Sequence, residues 1–202
     1  MLRHALCLLS LSLLTACGRL PIPFFNDAAP AAPAAKLETP VPAASVSISP
    51  EVRAYMEEAR KYWTAGGECT HPEQALRLLD RAAAADPLDP APLLLRSLAL
   101  SDLGYLEDAF ADATRAVLLR PTAEAYATRG LICLKQNRPQ GAERDFAYAE
   151  KLDPNEPLIY VYRAAGAFLE GRKGDACDDL ERACTLGTCL PWEKTKQEKV
   201  CR

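Results

Sequence analysis

Alanine pairs seven residues apart recur along the second part of this 202-residue chain, and their spacing constrains the fold more than any other feature. Ala75 and Ala82, Ala109 and Ala116, Ala142 and Ala149, and Ala176 and Ala183 advance by 34, 33 and 34 residues. Residues seven apart lie on one helix face, and small side chains there let a second helix approach closely. Pro87, Pro121 and Pro154 keep the same phase, just past each second helix, where a residue that cannot continue a helix belongs. A period of this length holds one helix hairpin, and each hairpin buries its face only against the next. The expected fold is all-α, a superhelix of about four helix hairpins over 51–187 followed by a disulfide-stapled capping helix within 188–202.

The second and third repeats read "APLLLRSLALSDLGYLEDAFADATRAVLLRP" and "AEAYATRGLICLKQNRPQGAERDFAYAEKLDP". With Tyr126, Gly130, Phe146 and the paired alanines they resemble tetratricopeptide repeats. The fourth carries Tyr160, Gly171, Ala176 and Ala183 but lacks the closing proline, and "TAGGECTHP" lengthens the turn of the first. The resemblance implies a concave surface made by the first helix of each pair. Its groove positions carry over to Leu94, Leu98 and Ser101 in repeat two, to Ala127, Leu131 and Leu134 in repeat three, and to Val161, Ala165 and Phe168 in repeat four. This lining is apolar and lacks the Lys and Asn set with which chaperone-binding members of the family clamp a carboxylate. It suits an amphipathic helix or an extended apolar segment of a partner protein.

Arg96, Arg129 and Arg163 are each followed sixteen residues later by Asp112, Asp145 and Asp179. The fixed interval favours an ion pair inside each hairpin, first helix to second, over an arginine ladder for an anionic partner. Bidentate Arg–carboxylate geometry suits such a half-buried position.

At the other end, Arg3 and His4 precede an apolar run from Ala5 to Leu14, too short to span a bilayer and reading as a secretory signal over 1–16. Leu14-Thr15-Ala16-Cys17 resembles the bacterial lipobox, which implies acylation of Cys17 and attachment to a membrane. Gly18, where Asp in that family marks inner-membrane retention, favours the outer membrane. Residues 17–50 are rich in Ala and Pro and short of charge, so they read as an extended tether reaching on the order of 100 Å at full stretch. Phe24 and Phe25 stand near its lipid end. The expected localisation is therefore the cell envelope, facing the periplasm, an oxidising space in which cysteines pair.

Cys177, Cys184, Cys189 and Cys201 crowd the last stretch. A zinc site usually shows pairs of cysteines two to four residues apart or nearby histidines; here the intervening residues number six, four and eleven, His71 is the only histidine beyond the signal, and no Cys-x-x-Cys motif occurs. Cys177 and Cys184 share a helix face but lie about 10 Å apart along it, too far to bond each other. If a final helix from Pro191 folds back, the nested pairs Cys184–Cys189 and Cys177–Cys201 form, with Cys177–Cys189 plus Cys184–Cys201 as the alternative. Such staples hold a cap on the end repeat, which has no next neighbour. Cys133 occupies a core position, and Cys69 lies in the long turn of repeat one, as a free thiol or a partner for another chain.

The net charge of −3 gives no reason to expect nucleic acid as a partner. No phosphate loop, nucleophile elbow or His-Glu-x-x-His motif is present, and His71 has no evident nucleophile beside it. Neither an enzyme nor a cofactor is expected. The reading is a membrane-tethered scaffold for another envelope protein, resembling tetratricopeptide lipoproteins that serve as pilotins for secretins or as adaptors for peptidoglycan enzymes. The alternative is a peptidoglycan- or glycan-binding module.

Overall fold

The computed structural model describes residues 49–64 and 69–201. The signal over 1–16, the acylation at Cys17, Phe24, Phe25 and nearly all of the tether lie outside the described residues.

The described residues form nine helices and no strand. They are α1 (Pro50–Arg60), α2 (Pro72–Ala85), α3 (Pro90–Asp102), α4 (Leu106–Leu119), α5 (Ala123–Lys135), α6 (Pro139–Leu152), α7 (Pro157–Leu169), α8 (Lys173–Thr185) and α9 (Leu190–Gln197). Consecutive pairs make four hairpins that stack in chain order, with α3, α5 and α7 side by side, and α9 packs on α8. This is the expected all-α superhelix of helix hairpins with a stapled ninth helix.

Local chemistry starts and stops each element. Ser49, Asp89, Thr122 and Glu156 each accept a backbone N–H of the first turn of α1, α3, α5 and α7, satisfying donors that the helix leaves unpaired. Inside the hairpins the reversal uses a left-handed residue at one phase: Gly104 at φ 84°, Asn137 at φ 58° and Gly171 at φ 75°. There the chain closes with Tyr105 N–H to Leu100 O at 2.9 Å, Arg138 N–H to Cys133 O at 2.8 Å, and Arg172 N–H to Ala167 O at 2.8 Å. Glycine, or asparagine in its place, is what that backbone region admits. The first hairpin departs: Trp63 and Cys69 pair as an isolated antiparallel bridge, and Thr70 N–H donates to Tyr62 O at 2.7 Å.

All eight phased alanines have no solvent exposure. They let larger residues close over the hairpin interiors, and Leu79, Leu93, Ile132 and Ile159 are fully buried or nearly so. Each such side chain contributes about 1.5–3 kcal/mol of apolar burial. Gly130 belongs to the same logic, because a Cβ there would lie 2.6 Å from Phe146 Cε1.

The cap is shorter than expected. A helix continuing from Pro191 to the last residues is replaced by α9, which stops at Gln197. Lys199 turns left-handed at φ 57°, Val200 N–H donates to Thr195 O at 2.8 Å, and the chain doubles back to bury Cys201. Disulfides join Cys177 to Cys201 and Cys184 to Cys189, the nested pairing.

Candidate partner-binding face

A first helix of thirteen residues has one side on its own second helix, one on the neighbouring repeats, and one outward. The nine expected groove residues divide accordingly. Leu94 is buried with Ala116, Val117 and Ala125, and Ala127 is wholly buried with Ile159 and Tyr160. Ser101 is buried, its Oγ donating to Leu98 O at 2.8 Å and accepting from Lys135 Nζ at 2.9 Å. Leu134 packs on Gly166, where a Cβ would sit 2.9 Å from its Cδ1. Leu94, Ala127 and Ser101 are corrected from groove lining to packing, because the adjacent first helix or the helix after it covers them, whereas Leu134 is half-buried. Leu98, Leu131, Val161 and Phe168 stay half-buried, and Ala165 is exposed. Leu98, Leu131 and Ala165 follow at intervals of 33 and 34, one row across α3, α5 and α7.

Beside that row lies a polar set that the sequence reading missed. Lys135 donates to Asp102 Oδ1 at 2.7 Å, joining the ends of α5 and α3, and the backbone N–H of Cys69 reaches Asp102 Oδ2 at 3.4 Å. The 33-residue interval between Asp102 and Lys135, opposite in charge at one phase, was the available signal. Glu156 accepts the Leu158 N–H at 3.1 Å as the cap of α7, which fixes its carboxylate. Glu124, on the first turn of α5, is open to solvent at its edge, yet the surrounding face removes enough water to raise its pKa. Burial is the largest cause, the charge of Glu156 adds to it, and Arg60 opposes it. The Tyr162 phenol is pushed up further, first by burial and then by Glu124, Glu156 and Asp102. Three carboxylates, Glu124, Glu156 and Asp102, thus act on the Tyr162 phenol.

The Arg–Asp pairs lie inside the hairpins. Arg96 clasps Asp112 at 2.7 and 2.8 Å, Arg129 clasps Asp145 at 2.8 and 2.6 Å, and Arg163 clasps Asp179 at 2.8 and 2.7 Å. Arg96 also donates to Asp80 on α2, and Arg163 to Glu150 on α6, so two of the three tie a hairpin to the one before it.

Among the described residues no group of His, Cys, Asp and Glu could hold a metal ion. His71 sits before α2 with Nδ1 3.0 Å from Thr70 Oγ1 and its ring against Tyr62. Cys69 and Cys133 are free, and burial pushes both thiols up, away from the thiolate a nucleophile needs. Among the described residues no helix is long and apolar enough to cross a membrane.

No protein-family model matches the chain. It is similar to human "Tetratricopeptide repeat protein 13", 30% identical over 111 residues that make up 55% of this chain and 13% of that protein. The chain thus spans only a small part of the curated relative's length. Among solved structures it is similar to MamA from Desulfovibrio magneticus RS-1, with a TM-score of 0.48 at 19% identity over 76% of this chain and 88% of that one. It is also similar to YrrB, described as a tetratricopeptide protein with an unusual peptide-binding site, with a TM-score of 0.47 at 12% identity over 75% and 79%. The hairpin period, the buried alanine pairs and the stacked first helices make this a tetratricopeptide-like repeat protein.

Proposed function

We propose that the protein is a non-enzymatic scaffold that holds a segment of another cell-envelope protein against α3, α5 and α7, and that acyl chains on Cys17 keep it at a membrane. The observation that carries the binding reading is the row Leu98, Leu131 and Ala165. Each is left open by a fold that buries its helix neighbours, and Val161 and Phe168 extend the apolar surface along α7. Half-exposed apolar side chains repeated across adjacent helices suit an amphipathic or extended apolar segment. The unactivated thiols and solitary His71 support a binding rather than a catalytic role. The lipobox-like Leu14-Thr15-Ala16-Cys17 supports anchoring, and two disulfides fit an oxidising envelope compartment, with the outer membrane favoured by Gly18. Within that class the roles that fit are secretin or pilus assembly and the positioning of peptidoglycan enzymes.

Crosslinking in the native envelope followed by mass spectrometry tests this, with Cys17→Ser and Leu131→Glu as controls. The expected result is an acylated Cys17 peptide and one dominant crosslinked protein, lost in Leu131→Glu while helicity is unchanged. Binding to sacculi with no protein neighbour would overturn the scaffold reading in favour of a glycan ligand, and an unmodified Cys17 would overturn the anchor.

A further inference from the structure

The ninth helix is fastened unlike the other eight. α9 has 8 residues and buries none of them, whereas every other helix buries at least three of its own. Among the described residues, every hydrogen bond of residues 190–201 stays within 189–201, and no ion pair includes any of them. Trp192 packs on the cluster of Ala164, Ala167, Ala176 and Leu180. The remaining ties are covalent, Cys189 to Cys184 and Cys201 to Cys177, both on α8. A helix this short does not persist in water unaided, since about 12–15 residues are marginal even for good helix formers.

The two bonds are not equivalent. Between Cys184 and Cys189 the backbone already makes the turn, with Gly187 at φ 104°, Gly187 N–H to Cys184 O at 3.0 Å and Thr188 N–H to Ala183 O at 2.9 Å. Breaking that disulfide leaves the turn in place. Cys177–Cys201 instead brings the far end of the stretch back across 24 residues, and among the described residues no hydrogen bond duplicates it. Between α9 and α7 lies a cavity of about 830 Å³, with Val161, Ala165 and Phe168 on one side and Leu190, Pro191 and Val200 on the other. Where α9 sits therefore decides whether the cavity has its second wall.

We infer that Cys177–Cys201 is a thiol–disulfide exchange site, and that its redox state closes and opens this cavity about the turn at Gly187. The co-reactant is a dithiol reductant. Its thiolate attacks Cys177, which is half-buried, rather than the buried Cys201. A mixed disulfide forms on Cys177 while the S–S bond breaks, and Cys201 leaves as a thiolate that takes a proton. The second thiol of the reductant then displaces Cys177, which is protonated in turn, and the reductant departs as its own disulfide. Two electrons and two protons thus pass to the pair, and oxidation by a disulfide of higher potential reverses the exchange. An element with so few non-covalent ties belongs to the low-stability end of a structure, from which moving parts are drawn. The device does not depend on what binds the first-helix face.

The test equilibrates the full chain in graded mixtures of reduced and oxidised dithiothreitol. Alkylation with mass spectrometry reports each bond, and hydrogen exchange reports each helix. Trp63→Phe, verified by an unchanged helical circular dichroism signal, leaves Trp192 as the sole tryptophan and its emission as a second readout. Reduction of Cys177–Cys201 is expected to shift that emission to the red and to lower α9 protection at least about tenfold, with α3 to α6 unchanged. Reoxidation is expected to restore both signals, and Cys184→Ser/Cys189→Ser to switch in the same way. Emission and α9 protection that stay put with Cys177 and Cys201 both alkylated would overturn the switch. Loss of protection through α3 to α6 at the same poise would make the bond a staple of the whole fold and overturn it too, as would failure to re-form the pair. Signals that follow Cys184–Cys189 instead would overturn the assignment of the exchange site.

Discussion

Arg129 and Asp145 meet through two parallel hydrogen bonds, Nε to Oδ2 at 2.8 Å and Nη2 to Oδ1 at 2.6 Å, with the carboxylate side chain only 7% exposed. The guanidinium also lies 5.3 Å over the Tyr126 ring. Planar fork, carboxylate and ring face together fix the angle between α5 and α6. Removing one partner strands the other charge in a half-dry site. Asp145→Ala is therefore expected to destabilise by about 3 kcal/mol, and Arg129→Leu/Asp145→Leu by less than the sum of the single changes. Urea unfolding followed by circular dichroism measures both. Strict additivity would mean the two residues are not coupled.

Gly130 has a different task in the same hairpin, since any Cβ would meet the buried Phe146 ring at 2.6 Å. Alanine would gain about 1 kcal/mol of helix propensity over glycine, but overpacking a core costs about 1–3 kcal/mol. Gly130→Ala is expected to lower the unfolding midpoint, and Gly130→Ala/Phe146→Leu to recover part of the loss. Gly166→Ala should be milder, because the group it meets is the flexible end of half-buried Leu134. A midpoint raised by Gly130→Ala would show that helix α6 can shift to make room.

The stacked hairpins were legible because their determinants are local and periodic. Alanine pairs, phased prolines and the Arg-to-Asp interval of sixteen each report contacts within one hairpin or at a fixed repeat interval. The groove was legible only in part for the opposite reason. Repeat position says which way Leu94 or Ala127 points, but whether that side is covered depends on how closely the next hairpin stacks, as Ala127 against Ile159 and Tyr160 illustrates. The end of α9 was hidden too, since Lys199 is an ordinary residue forced left-handed by the return to Cys177, with no glycine or proline to announce it. Glu124 and Tyr162 gave no pattern at all, because their interaction runs between α5 and α7.

The two disulfides should differ in what they hold. Cys177 and Cys201 are 24 residues apart and Cys184 and Cys189 only 5, so the loop-closure contribution is about 3.5 kcal/mol for the first and about 2 kcal/mol for the second. Hydrogen exchange is expected to show α9 amides losing more protection in Cys177→Ser/Cys201→Ser than in Cys184→Ser/Cys189→Ser, with α3 to α6 unaffected by either. The reverse ranking would mean that the short loop before α9, rather than closure of the long one, holds the cap, and no loss from either pair would assign that role to the packing of Trp192.

Glu124 couples stability to pH. Its pKa is raised in the folded protein, chiefly by burial and then by Glu156, so folding favours its protonated form. The folded state therefore loses relative stability as pH rises through the carboxylate range, and the penalty is complete at neutral pH. Glu124→Gln removes that penalty and is expected to raise the urea midpoint at pH 7. The advantage should vanish below about pH 4, where the glutamate is protonated in folded and unfolded chains alike. An unchanged midpoint at pH 7 would mean that Arg60 already neutralises the site.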